Sequence, residues 1–161
     1  KPDVTFTDTS GRPFSLATGM RKPITLVVFV YTNCPDICPT VLADLASALR
    51  RSEPAVRTQT EVLVITTDPE RDTPAVLRAY LDRFDPSFVG LTGPLPDVKK
   101  AADTLGVPLE AGHPLPSGGY EVGHGAQVIA FGPDGNAHLV WLPGTPVGDI
   151  RHDLSALAEL G

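Results

Sequence analysis

One stretch of sequence decides the fold of this chain: residues 28–39, which read VFVYTNCPDICP. It begins inside the most strand-like run of the sequence, Ile24 to Tyr31, and it holds both cysteines of the chain, Cys34 and Cys38. The run is apolar on both faces, as is usual for a strand in the middle of a parallel sheet. Two soft sulfur ligands therefore follow a buried strand directly, where ligand sites tend to lie in open α/β sheets.

The sequence around the cysteines predicts a loop followed by a helix. Each cysteine precedes a proline, and this disfavours the α region, so we expect the pair to lie in the loop and not along one helix face. Pro39 suits the first helical position, and apolar residues at helical spacing continue to Arg51. The start of the helix would point free N–H groups at the sulfurs and lower the pKa of a thiol.

Strands and helices alternate along the rest of the chain. The pattern predicts an N-terminal β-hairpin, a loop at 52–60, a buried strand at 61–67 and a helix that begins at Thr73-Pro74. A strand at 88–91 and a helix that ends at Gly106 follow. Residues 107–123, rich in Gly and Pro, predict a long inserted loop, and a second hairpin and a last helix complete the chain.

This order of elements predicts an α/β protein with a thioredoxin-like fold, an extra N-terminal β-hairpin and an inserted loop before His124. The length of 161 residues fits one domain, residues 1–161. The net charge of −6, without a basic run, argues against nucleic acid and against a polybasic membrane contact. Because the chain begins with Lys1 and not with Met, we expect a missing N-terminal signal peptide or anchor.

The spacing of the two cysteines leaves three alternatives open: a small disulfide, one shared metal ion, or two unrelated buried thiols. Their position on a loop before a helix is unlike that of inert core cysteines. Two thiolates are too few for a structural zinc site, which needs about four ligands. Two thiolates with one imidazole suit copper.

His124 is the candidate for that imidazole among the four histidines of the chain. His113 is interpreted as a loop residue, and His138 and His152 as surface residues of a strand and a helix. His124 comes immediately before a strand that, on a thioredoxin-like sheet, lies beside the strand that leads into the cysteines. Geometry alone leaves a ligand and an ordinary loop histidine as equal alternatives.

Five segments of the chain resemble the Sco (SenC) family of cytochrome c oxidase assembly factors. They occur in the family's order and read FVYTNCPDICP at 29–39, TDPERDTP at 67–74, FVGLTG at 88–93, YEVGH at 120–124 and GPDG at 132–135. The C-P-x-x-C-P loop combined with DPERDTP is specific to the family, whereas the last turn alone is not.

The resemblance implies that Cys34, Cys38 and His124 ligate one copper ion per chain, as Cu(I) or Cu(II). It implies an extracytoplasmic domain, periplasmic or on the outer face of the cell membrane, tethered by an N-terminal segment absent from this chain. The family delivers copper to the dinuclear copper centre of cytochrome c oxidase subunit II, or reduces the cysteines of that centre. The expected partner of a monomeric domain is that subunit or another copper chaperone.

Asp72 and the two residues that flank His124 bear on this ligand set. Asp72 falls where the family keeps an acidic residue near the site, and a helix-capping aspartate is an equal alternative. The family usually has aspartate before the metal histidine and serine or threonine after it, whereas this chain has Gly123 and Gly125.

Three functions compete. The first is a copper chaperone, a binding and transfer protein and not an enzyme. The second is a thiol–disulfide oxidoreductase or a thioredoxin-like peroxidase; a three-residue spacer, His124-Gly125 in place of a cis-proline, and Tyr31 in place of a peroxidase threonine argue against it. The third is a structural disulfide, which explains neither His124 nor an accessible loop between two prolines.

Overall fold

The structure is organised around the strand that precedes the cysteines. The computed structural model of the protein describes residues 1–109, 114–122 and 126–160. The strands within these residues are β1 (Thr5–Asp8), β2 (Pro13–Ser15), β3 (Ile24–Val30), β4 (Thr60–Thr66), β5 (Val89–Thr92), β6 (Val128–Phe131) and β7 (Ala137–Trp141). The helices are α1 (Ile37–Arg51), α2 (Pro54–Thr58), α3 (Pro74–Asp82), α4 (Leu95–Thr104) and α5 (Val147–Ala158).

All these strands form one sheet in the order β2-β1-β5-β4-β3-β6-β7. β3, β4 and β5 run parallel, and antiparallel hairpins, β1–β2 and β6–β7, close the two edges. Every residue of β3 is buried, because the strand has a neighbour on each side and is covered on both faces. The α/β sheet and its N-terminal hairpin agree with the prediction from sequence.

Three segments meet at one end of the sheet, here called the cysteine end. β3 ends at Val30, just before the cysteine loop, and the Thr67 N–H donates to the Val30 carbonyl at 2.8 Å, so β4 ends beside it. β6 is antiparallel to β3, with Ile129 opposite Val27, and therefore begins at the same end. The segment before β6 thus enters the sheet at the cysteine end, as the sequence predicted.

Two helix boundaries predicted from sequence were wrong. α1 begins at Ile37 and not at Pro39, so Cys38 lies in its first turn while Cys34 stays in the loop. Pro39 is tolerated there because N–H groups in the first turn of a helix have no intrahelical acceptor to lose. The predicted loop at 52–60 contains the short helix α2, which begins with a proline.

The inserted loop is described at residues 107–109 and 114–122. It contributes three buried apolar residues, Val107, Leu109 and Val122, and is therefore better packed than its composition predicted. An isolated antiparallel bridge joins Pro114 to Tyr120. Among the helices just described, none combines the length and the apolar character that a bilayer span requires.

Candidate metal centre

The two cysteines form one unit at the start of α1. Both are free thiols and both are buried. The backbone N–H of Cys38 donates to Cys34 Sγ at 3.3 Å, and the Cys34 N–H donates to the Tyr31 carbonyl at 3.1 Å. The cysteine loop therefore turns back, so that a backbone N–H in the first turn of α1 points at Cys34 Sγ.

This arrangement separates the acidities of the two thiols. The Cys38 thiol donates a hydrogen bond to Cys34 and lowers the pKa of Cys34 to about 7; burial opposes this, and the backbone N–H groups of residues 36–38 reinforce it. The same hydrogen bond, followed by burial, raises the pKa of Cys38. Above about pH 7 the metal-free pair is therefore a Cys34 thiolate that accepts from the Cys38 thiol. The N–H groups at the start of α1 lower the pKa of Cys34 as the sequence predicted, but the Cys38 thiol is the larger cause.

Two tyrosines lie near the sulfurs. Burial, followed by the charges of Cys34 and Cys38, raises the pKa of Tyr31 to about 12. Burial, followed by the charges of Cys38 and Cys34, also raises the pKa of Tyr80 on α3, and the buried Tyr80 hydroxyl has no hydrogen-bond partner among the described residues. Sequence analysis did not place Tyr80 at the site, because helical spacing does not reveal what the far end of a side chain meets.

Asp72 is a buried acceptor and not a helix cap. Thr73 caps α3, its hydroxyl accepting from the Val76 N–H at 3.3 Å. The Asp72 carboxylate accepts from the Thr32 N–H at 2.9 Å, from the Thr66 hydroxyl at 2.8 Å and from the Thr32 hydroxyl. It therefore fixes the residue two positions before Cys34 to the end of β4. Of the two alternatives, the structure favours a residue that supports the cysteine loop.

The inserted loop is tied to the end of β4. The Tyr120 N–H donates to the Thr67 carbonyl at 2.9 Å, and the Thr67 hydroxyl donates to the Tyr120 carbonyl at 2.7 Å. The Ser117 hydroxyl donates to the buried Asp68 carboxylate. Gly119 is pressed so closely that an added Cβ would lie 2.6 Å from the Thr67 carbonyl oxygen. Sequence reasoning missed this contact, because it joins segments about fifty positions apart in the chain.

The histidines divide into two groups. His138 lies on β7 and binds Asp134 with its Nε2 at 2.8 Å, and His152 is exposed on α5, so both are surface residues as predicted. His113 and His124 lie outside the described residues, as do Gly123 and Gly125. The described part of the chain contains no group of three or more His, Cys, Asp or Glu arranged to hold a metal. It supplies two sulfurs, and the ligand role of His124 stays a prediction.

The sheet, the hairpins and the paired thiols at the start of α1 define a thioredoxin-like domain with a dithiol site. The chain belongs to the SCO1/SenC family, whose model matches residues 1–159. It is 35% identical over 135 residues to the SCO2 homolog, a mitochondrial protein of Mus musculus, over 83% of this chain and 52% of that protein. The chain spans about half the length of the curated relatives it matches.

Solved structures agree with this membership. ScoI of Bradyrhizobium japonicum, with copper bound, has a TM-score of 0.81 and 29% identity, and the match covers 98% of each chain. BsSco, described as a member of the Sco family of cytochrome c oxidase assembly proteins with a disulfide switch, has a TM-score of 0.75 and 23% identity over 100% of this chain and 94% of that one. The predicted family and thioredoxin-like fold are confirmed, and the copper-bound relative supports copper as the metal.

Proposed function

We propose that residues 1–161 form a copper-carrying domain that holds one Cu(I) or Cu(II) ion on Cys34, Cys38 and His124. The observation that carries this proposal is the pair of free thiols at the start of α1, in a chain of the SCO1/SenC family. The backbone N–H of Cys38 donates to Cys34 Sγ at 3.3 Å and holds the two residues together. Two sulfurs and one imidazole suit both oxidation states of copper.

The residues around the sulfurs prepare them for this cargo. The first turn of α1 stabilises the Cys34 thiolate, the form that binds a metal. Asp72 holds Thr32, and thereby the cysteine loop, against the ends of β3 and β4. The open coordination of a three-ligand site would let the thiolate of a target protein attack the metal and replace these ligands one at a time. Transfer is then ligand exchange, without net oxidation or reduction.

The destination that we propose is the dinuclear copper centre of cytochrome c oxidase subunit II, reached directly or through another copper chaperone. Family membership supports an oxidase-assembly role. We also propose that the domain is monomeric and works outside the cytoplasm, in a periplasm or on the outer face of a cell membrane, tethered by an N-terminal segment.

Anaerobic Cu(I) titration against a coloured Cu(I) chelator tests the ligand set. We expect tight 1:1 binding by the wild type and a large loss of affinity in Cys34→Ser, Cys38→Ser and His124→Ala. His138→Ala is the matched control, because His138 pairs with Asp134 on β7 and should bind copper as the wild type does. Unchanged 1:1 binding in all three ligand variants would sink the proposal.

A second function, thiol–disulfide exchange, is favoured by the separated acidities of the two thiols. The Cys34 thiolate would attack one sulfur of a substrate disulfide and release the other as a thiolate. Cys38, once deprotonated, would then attack Cys34 Sγ in the mixed disulfide and release the second substrate sulfur. Two electrons would pass to the substrate, with one proton from Cys38 and one from solvent, leaving a Cys34–Cys38 disulfide. Incubating reduced, copper-free protein with an oxidised dithiol peptide tests this. Reduction of one peptide per chain supports a stoichiometric reductant. If the protein binds copper but reduces no peptide, copper carriage is the only one of the two functions that is supported.

A further inference from the structure

Two neighbouring residues of the turn after β4 hold the loop that leads into Cys34. Asp72 accepts from the Thr32 N–H at 2.9 Å. The side-chain oxygen of Asn33 accepts from Arg71 Nη2 at 2.8 Å and from Arg71 Nε at 3.2 Å, in the amide orientation that turns the oxygen toward the donors. Residues 71 and 72 therefore hold residues 32 and 33, the two positions directly before Cys34.

The turn that carries Arg71 is itself fixed to the end of β4. The Asp68 carbonyl accepts from the Arg71 N–H at 3.2 Å and from the Asp72 N–H at 2.8 Å, so the backbone closes on itself. The Asp72 carboxylate is buried and also accepts from the Thr66 hydroxyl, on the last residue of β4. The Arg71 guanidinium therefore reaches Asn33 from a backbone that is already anchored to the sheet.

The two contacts with the loop differ in exposure. The Asp72 carboxylate is buried, whereas Arg71 and Asn33 are exposed. An exposed polar pair contributes little to the stability of a fold, because water competes for its hydrogen bonds. The contact with Arg71 does restrict Asn33, and consecutive Cα atoms are only about 3.8 Å apart, so it also restricts the backbone of Cys34. We therefore expect it to order the loop more than it stabilises the domain.

The hydrogen bonds of Cys34 itself stay close to it in sequence. Its N–H donates to the Tyr31 carbonyl at 3.1 Å, and its Sγ accepts from the Cys38 N–H at 3.3 Å. These two bonds shape residues 31–38, and the contacts with Arg71 and Asp72 attach the same residues to a distant segment of the chain. Both are needed to give Cys34 Sγ one position relative to α1.

We propose that Arg71 is a positioning residue for copper binding: its two bonds to the Asn33 side chain hold the loop so that Cys34 Sγ lies over the first turn of α1, beside Cys38. This inference rests on the proposed ligand roles of the two cysteines, and it does not depend on which residue supplies the imidazole. Arg71 acts through Asn33 and not as a ligand. A loop that is ordered before copper arrives does not have to be ordered by the binding step, and this favours affinity.

Anaerobic Cu(I) titration of matched variants tests the inference. Arg71→Met keeps the length of the side chain and removes its donors, and Asn33→Ala removes the acceptor. We expect each to weaken Cu(I) binding by about fivefold, the size of one net hydrogen bond. Arg50→Met is the control for the lost charge, because Arg50 is exposed in the last turn of α1 whereas Cys38 lies in the first. It should bind as the wild type does.

The double variant Arg71→Met with Asn33→Ala shows whether the two residues act through their contact. If they do, the two losses do not add, and the double variant binds as either single variant does. Hydrogen exchange gives a second readout, which a general effect on the fold would not reproduce. In copper-free protein, Arg71→Met should speed amide exchange in residues 32–38 and not in β3. Loading with copper should remove the difference, because the metal then fixes the loop.

The outcomes separate this inference from the proposed copper site. If Cys34→Ser and Cys38→Ser bind copper as the wild type does, the site itself is wrong. If those variants lose affinity while Arg71→Met does not, the site stands and the positioning role is overturned. Additive losses in the double variant, or unchanged exchange in residues 32–38, also overturn it. So does a loss of affinity in Arg71→Met that comes with faster exchange in β3, because Arg71 would then support the fold in general.

Discussion

Two substitutions of Asp72, to Ala and to Asn, separate the contribution of its hydrogen bonds to stability from the contribution of its charge. Asp72→Ala leaves the Thr32 N–H, the Thr32 hydroxyl and the Thr66 hydroxyl without their acceptor inside the protein. A hydrogen bond to a charged acceptor contributes about 1.5–3 kcal/mol, and part of this is offset because the buried carboxylate no longer has to be desolvated. We therefore expect the free energy of unfolding to fall by about 3–5 kcal/mol, a large share of the roughly 5–15 kcal/mol of a typical domain.

Asp72→Asn should be much milder. The amide oxygen, placed where Oδ2 is, can still accept from the Thr32 N–H and the Thr66 hydroxyl, while the amide NH₂ donates to a rotated Thr32 hydroxyl. Only the charge assistance is lost, so we expect a loss of about 1 kcal/mol. The charge of Asp72 also contributes to the raised pKa of Cys38, so this variant should lower that pKa.

Urea unfolding of the reduced, metal-free protein measures the stabilities, and thiolate absorbance near 240 nm measures the titration of the cysteines. Asp36→Asn is the matched control, because Asp36 lies in the cysteine loop that Asp72 supports, is exposed, and makes no side-chain capping bond at the start of α1. It should change stability by less than about 0.5 kcal/mol. Equal losses in Asp72→Ala and Asp72→Asn would refute the hydrogen-bond reasoning.

Three further predictions concern the thiols, the inserted loop and the sheet. In reduced, metal-free protein, iodoacetamide should modify Cys34 with a rate midpoint near pH 7 and leave Cys38 unmodified until higher pH; modification of Cys38 first would contradict the hydrogen-bond direction. Gly119→Ala should speed amide hydrogen exchange in residues 114–122 and not in β3; unchanged exchange would mean that the clash with Thr67 is relieved elsewhere. Gly90→Ala should destabilise the fold by about 1–3 kcal/mol in a thermal melt, because the added methyl would lie 2.8 Å from Thr9 Cγ2 and 2.9 Å from Leu77 Cδ2 on α3; an unchanged melting temperature argues against close packing there.

The sequence predicted those features that local pattern determines. β3 is a continuous apolar run, and Thr73-Pro74 is a local helix start, so both could be located without the fold. The cysteine loop was recognisable because its residues are contiguous. The start of α1 was misplaced, because a proline in the first turn of a helix loses no hydrogen bond, so Pro39 could lie two positions inside the helix and not at its first residue.

What could not be predicted depends on partners distant in sequence. Asp72 was as easily a helix cap as a support for the cysteine loop, and only the position of Thr32 opposite it decides between them. The contact between Thr67 and the inserted loop has no sequence signature beyond a pair of glycines in that loop. Tyr80 has no sequence signal that would place it at the site, although its hydroxyl is buried and the charges of Cys38 and Cys34 reach it. Which side chains meet depends on the topology of the fold, and the spacing of apolar residues along one helix or strand does not reveal that topology.

If Cys34 and Cys38 hold copper as proposed, the raised pKa of Cys38, which keeps a proton on that thiol, makes copper loading a proton-coupled reaction. A copper ion needs both sulfurs deprotonated, so loading must expel every proton that the pair still holds. Above about pH 7 that is one proton, the one on Cys38, and apparent affinity should change about tenfold per pH unit. Below that pH the pair holds two protons, and the dependence approaches about a hundredfold per unit. A more acidic surrounding would thus favour release of the ion, and a more alkaline one its capture.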